Sequence, residues 1–258
     1  RDVERQQNCA SHDTRILSQL DGACGGRMPK STIKYNSPLT LAVALVLGSM
    51  SHAFASECAS SMISVQTGDK ALHNRICSTT EQALPLLEAC GLELSRPVTI
   101  QLKNSIEIES SACFGLYRDG EYVIELLHPQ VFENIHSQSE YREFLTPSQH
   151  FDSVVAHELT HAVIDQASQA EMQCDIDHEY IAYSMQFATL DQSARSGLTA
   201  NIGNARTVTE EDLNQFVYAL SPRSFATKAW VHFSRPENGC AFVGKLLRGD
   251  TTLWLDLE

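Results

Sequence analysis

The apolar positions of the chain change rhythm about halfway along it. Asp69 to Ala89 reads as mainly helical, with Pro85 kinking or dividing the helix and Gly91 stopping it. Pro97 to Lys103, PVTIQLK, alternates apolar and polar residues, the two-residue period of a strand. Cys113 to Arg118 and Glu121 to Leu127 are β-rich runs on either side of Asp119-Gly120, a pair suited to a hairpin turn. From Thr146 onward the pattern is helical. Thr146-Pro147 supplies an N-cap and a first-turn proline for a helix reaching about Ala167. Asp175 or Asp177 can cap a second helix running through Leu190. Thr207 and Glu210 have capping-box spacing ahead of Leu213 to Leu220. Ser221-Pro222 starts another helix, Ser234 to Pro236 interrupts, and a last helix ends near Gly249. A small, partly antiparallel sheet followed by a helical half is an α+β order.

The N-terminal part alters how much of the 258 residues is expected to fold. Between Met28 and Ala55 come the basic Lys30 and Lys34, the apolar run Leu39 to Leu47, and Ala53-Phe54-Ala55. This is the three-part order of a secretory signal peptide. The apolar run is shorter than the about 20 residues of a membrane-spanning helix. Residues 1–27 lack an initiator Met and read as a non-native upstream segment. The expected product is a single domain over 56–258, periplasmic or secreted. Glu57 precedes Cys58 where a lipoprotein signal carries a small residue, so no membrane anchor is expected.

Export changes the meaning of the cysteines. Cys58, Cys77, Cys90, Cys113, Cys174 and Cys240 follow Ala55, and in an oxidising compartment they read as disulfides whose pairing the sequence leaves open. No CxxC pair suggests a cysteine zinc knuckle. Of 19 Lys/Arg and 32 Asp/Glu in the chain, residues 1–55 hold six and four, leaving 13 basic and 28 acidic residues. That excess argues against nucleic acid as a partner.

The chemistry is concentrated in VVAHELTHAVIDQ, Val154 to Gln166. Residues i and i+4 share a helix face, so His157 and His161 can point both imidazoles at one ion. Glu158 is rotated by about 100° from His157, which suits it to reach a water rather than to join the pair. His157, Glu158 and His161 resemble, position by position, the HExxH zinc peptidases, the zincins. A metzincin would carry Gly at position 164 and His at 167, where this chain has Ile164 and Ala167. The gluzincin branch instead takes a glutamate from the following helix. Glu179, opening the run EYIAY, resembles that third ligand, and the string is similar to one in small exported bacterial proteins. Glu171, Cys174, Asp175, Asp177 and His178 lie in the same stretch as competing ligands. A thermolysin-like enzyme would carry an acidic residue four after Glu179. Tyr183 stands there, so an orienting partner for a ligand imidazole must come from elsewhere, Asp165 being a candidate.

The resemblance implies zinc on His157, His161 and Glu179, with Glu158 as general base for peptide hydrolysis. His232, Tyr180, Tyr183 and Tyr218 are candidate donors to the oxyanion, with His232 singled out. The resemblance also implies that a peptide or protein substrate lies along an edge strand, for which Glu121 to Leu127 is the candidate. The alternative is a non-enzymatic, disulfide-linked exported binding protein whose metal site is structural or idle.

Overall fold

The computed structural model describes residues 55–108, 111–167, 174–202 and 208–255. The expected signal segment, apart from Ala55, lies outside these residues. Ala55–Glu57 (β1) pairs antiparallel with Ile63–Gln66 (β2). Helix α1 (Lys70–Glu88) then crosses over to Val98–Lys103 (β3), which lies parallel to β2, as a parallel pair requires. Asp69 caps α1 by accepting from the Ala71 and Leu72 amides. Pro85 does not divide this helix. It sits in the last turn, where the chain is about to leave the helix at Gly91 (φ 76°).

A short pair, β4 (Glu107–Ile108) and β5 (Ser111–Ala112), precedes the hairpin of β6 (Gly115–Arg118) and β7 (Val123–Leu127). The sheet order is β1-β2-β3-β7-β6, with β3 and β7 parallel. β7 is therefore interior, and the edge passes to β6. This corrects the expectation that Glu121 to Leu127 is the edge strand. The physical reason lies in its composition: Ile124 to Leu127 is buried throughout, the burial expected of a strand covered on both faces.

The helical half comprises α2 (Pro129–His136), α3 (Pro147–Gln166), α4 (Asp175–Thr189), α5 (Gln192–Thr199), α6 (Gln215–Leu220), α7 (Pro222–Phe233) and α8 (Gly239–Leu247). The architecture is α+β, as the sequence pattern predicts. α3 begins with a full capping box: Thr146 accepts from the Gln149 amide, and the Gln149 side chain accepts from the Thr146 amide. Its far end is tied to the sheet, since Gln166 Oε1 accepts from the Ser95 and Arg96 amides at 2.9 and 2.8 Å. α3 packs against α1, α4, β6 and β7, and most of its residues are buried. It is the central helix of the core.

Two capping expectations are corrected. α4 starts at Asp175, but its N-cap is Cys174 with no side-chain bond. Asp177 is buried and turns to the C-terminal segment, accepting from Leu253 N at 2.7 Å and Thr252 Oγ1 at 2.9 Å. Thr207 lies outside the described residues. The capping box is formed by Thr209 and Asp212 around a short 3-10 turn, and Asn214 caps α6. Disulfides join Cys58 to Cys77 and Cys90 to Cys240, and no described cysteine is free. No described helix is long and apolar enough to cross a membrane.

His136 and His150 meet Nδ1 to Nδ1 at 2.9 Å inside an aromatic cage of Phe114, Phe132 and Tyr141. One ring must donate and the other accept, so the two rings cannot both be protonated while this bond is kept. Burial lowers both pKa values, His150 to about 3. A folded pKa below the unfolded value of about 6.5 gives stability that is complete above that value and is lost as pH falls toward the folded one. The urea midpoint should accordingly fall steadily from pH 6.5 to about 4, and a His136→Phe/His150→Phe variant should show a shallower slope. An equal slope in both proteins would remove the pair as the cause.

Candidate metal centre

α3 and α4 bring three of the expected residues together. His157 and His161 lie one turn apart on α3 with their Nε2 atoms 3.1 Å from each other. Glu179, in the second turn of α4, places Oε2 3.6 Å from His157 Nε2 and Oε1 3.5 Å from His161 Nε2. An ion held tetrahedrally by bonds of about 2.0–2.1 Å keeps its donors about 3.3 Å apart, and the separations between the two imidazoles and the two carboxylate oxygens are of that size, so the three residues could hold one zinc. Both imidazoles turn Nε2 toward the centre, from side chains that the i, i+4 spacing sets on one helix face.

The group is sunk into the core. His157 and Glu179 are fully buried, while 12% of the His161 side chain is exposed, so solvent reaches the centre from the His161 side. Burial holds both histidines far below the ordinary imidazole pKa, His157 at about 3. It pushes the Glu179 carboxyl well up, with the nearby Glu158 adding to the effect. These shifts keep the imidazoles neutral, the form that binds metal.

Glu158 is fully buried and its pKa is raised by burial to about 8. Neither carboxylate oxygen has a hydrogen-bond partner of good geometry. The Tyr117 backbone amide draws the pKa back without reaching that geometry. Glu179 Oε2 and the Tyr183 hydroxyl are likewise buried without a hydrogen bond of good geometry. Buried polar atoms are nearly always satisfied, so unsatisfied oxygens beside three residues that could hold a metal ion set this place apart from the rest of the core.

Gly115 explains how Glu158 comes so near the sheet edge. A Cβ there would lie 2.7 Å from Glu158 Cγ and 2.9 Å from both Glu158 Oε1 and Val154 Cγ1. Gly115→Ala should cost about 1–3 kcal/mol of stability by overpacking, checked by urea unfolding. Unchanged stability would mean that β6 can retreat from α3.

The structure disposes of other expectations. Asp165 does not orient an imidazole. It accepts from the Tyr117 hydroxyl at 2.6 Å and from Gly120 N at 3.3 Å, tying α3 to the β6–β7 hairpin. His232 on α7 meets the Tyr180 hydroxyl through Nδ1 at 2.8 Å and packs on Phe242, so it does not join the three-residue group. Glu179 and Tyr180 are adjacent on α4 and so point about 100° apart, which carries His232 away from the centre. Tyr218 on α6 is the phenol beside the site, near enough to Glu179 for its hydroxyl to draw the raised carboxyl pKa back. Tyr183 packs edge-on against His157, ring centroids 4.6 Å apart. Cys174 is disulfide-bonded and Asp177 is engaged with the C-terminal segment, which removes both as ligands. Glu171 lies outside the described residues. The sequence puts Gln186 on the Glu179 face of its helix, suited to packing against the motif helix, but gives it no role at the site; its Oε1 lies 3.0 Å from His157 Nδ1. Its place two turns after Glu179, on the same face of α4, was the available signal.

The profile of a family described as a family of unknown function, DUF6639, matches residues 63–256. No curated protein and no solved structure matches the chain.

Proposed function

The chain belongs to the DUF6639 family, and we propose that it is an exported zinc metallopeptidase of gluzincin type, with His157, His161 and Glu179 holding the ion. The observation that carries this reading is the convergence of three ligand atoms with buried, unsatisfied carboxylate oxygens of Glu158 and Glu179. Their donor set, two neutral imidazoles and a carboxylate, suits zinc. The disulfides support an oxidising destination, periplasmic or extracellular.

Zinc bound there supplies a Lewis acid for the scissile carbonyl and makes the attacking water more acidic. Glu158 accepts the water's proton as the oxygen adds to the carbonyl carbon. It returns that proton to the amine nitrogen as the C–N bond breaks. Tyr218 steadies the Glu179 carboxylate through its hydroxyl. The substrate main chain lies along β6, the sheet edge that packs on α3, in the manner of strand addition.

A second reading is favoured by the near-complete burial of the centre: a non-enzymatic binding protein in which zinc is structural. The two separate in one assay. The zinc-loaded protein, incubated with a peptide library and read by mass spectrometry, should cut peptides, stop with a chelator and resume with added zinc. Bound zinc without any cleavage would overturn the peptidase reading in favour of the structural one.

A further inference from the structure

We infer that Gln186 is the positioning residue of the metal centre: held in one orientation by Ser153, its amide fixes His157 as the Nδ1–H tautomer and leaves Nε2 for the ion. This inference rests on the metal reading of the centre. The direction of every bond follows from donor and acceptor capacity. Ser153 Oγ gives its single proton to the His150 carbonyl at 2.8 Å. Toward Gln186 it can then only accept, which it does from Nε2 at 3.0 Å. The amide nitrogen is committed to Ser153, so the amide oxygen must be the atom facing His157. That oxygen lies 3.0 Å from Nδ1 and can only accept, so Nδ1 carries the hydrogen. The remaining nitrogen, Nε2, has its lone pair free and is the atom that faces His161 and Glu179.

The relay is complete within the core, since Ser153, Gln186 and His157 are all buried. Water cannot substitute for its members or scramble the tautomer. The choice of a neutral amide also has a physical reason. The interior already contains the carboxyl groups of Glu158 and Glu179, and burying a third unpaired charge there would be costly. An amide accepts the imidazole hydrogen without adding one. The residue four after Glu179 cannot take this role, because Tyr183 presents its ring, not its hydroxyl, to His157. The amide at 186 stands one turn further along α4 and reaches the opposite nitrogen.

The test is zinc affinity of the intact mature chain, measured by competition with a chromophoric chelator. Gln186→Met, similar in volume but with no acceptor for the imidazole hydrogen, should raise the zinc Kd by about 10–100-fold, the usual cost of losing such a partner. Ser153→Ala should raise it less, because the amide keeps its oxygen for Nδ1 and loses only the bond that fixes its orientation. A second measurement does not depend on any variant folding. Nitrogen NMR of the zinc-free wild type should show His157 protonated at Nδ1. Unchanged zinc affinity in Gln186→Met, or an Nε2–H tautomer in the wild type, would overturn the inference while leaving the metal reading intact. A wild type that binds no zinc would overturn both.

Discussion

Glu158→Gln should lower kcat by about 10²–10⁴-fold, the span of a lost general base, and leave the bound zinc in place. The carboxylate is not one of the three grouped ligands. It stands beside them with both oxygens lacking a hydrogen bond, against the backbone of β6 at Gly115. The substitution preserves shape and packing but removes the ability to take a proton. It also removes an ionisable group that burial destabilises, so the variant should be as stable as the wild type or more so. The check is kcat and KM on a peptide that the wild type cuts, with zinc content and urea unfolding of the same preparations. Activity within a few-fold of wild type would dismiss Glu158 as the base. Loss of zinc together with activity would instead make Glu158 part of the ion's coordination.

The second large effect concerns stability. Replacing both Cys90 and Cys240 by serine should cost about 2–5 kcal/mol, at the upper end of what single disulfides contribute. The bond spans 150 residues, a loop that contains the whole of the candidate centre, and it clips the end of α1 to α8. Closing so long a loop removes more entropy from the unfolded chain than closing the 19-residue separation of Cys58 and Cys77. The Cys58→Ser/Cys77→Ser variant is therefore the internal comparison. Chemical unfolding of both variants without reductant gives the two losses. A smaller loss for the longer loop would show that the Cys90–Cys240 bond strains the native state or that the unfolded chain retains structure there.

The chain's own pattern carried most of the architecture. Thr146-Pro147 marked the start of α3 because capping is local chemistry, settled within four residues. The same holds for Asp69, Ser221 and the positive-φ glycines at 91 and 249. The pair His157 and His161 was legible because a helix puts i and i+4 on one face whatever surrounds it. Glu179 needed the resemblance, since its approach depends on how α4 crosses α3.

What the pattern did not carry was long-range. Asp175 and Asp177 have the right type and place for a cap, yet Asp177 is claimed by Thr252 and Leu253, 75 and 76 residues away. Asp165 sits one turn after His161 but faces the hairpin, because Tyr117 and Gly120 offer it donors there. Which strand lies at the sheet edge depends on the parallel pairing of β3 with β7, and alternation within one strand cannot reveal a partner 24 residues away. The role of Gln186 was not legible because a thermolysin-like pattern points to a carboxylate four residues after the ligand, at Tyr183. The chain uses an amide seven residues after that ligand.

The central claim is that His157, His161 and Glu179 hold one zinc ion. The most direct measurement is metal content by mass spectrometry on protein purified from an oxidising compartment, wild type beside His161→Ala and Glu179→Ala. About one zinc per chain in the wild type, lost from both folded variants, is the result expected of a three-ligand site. Folded wild type that stays empty after zinc is supplied, or a Glu179→Ala protein that retains its zinc with undiminished affinity, would contradict it.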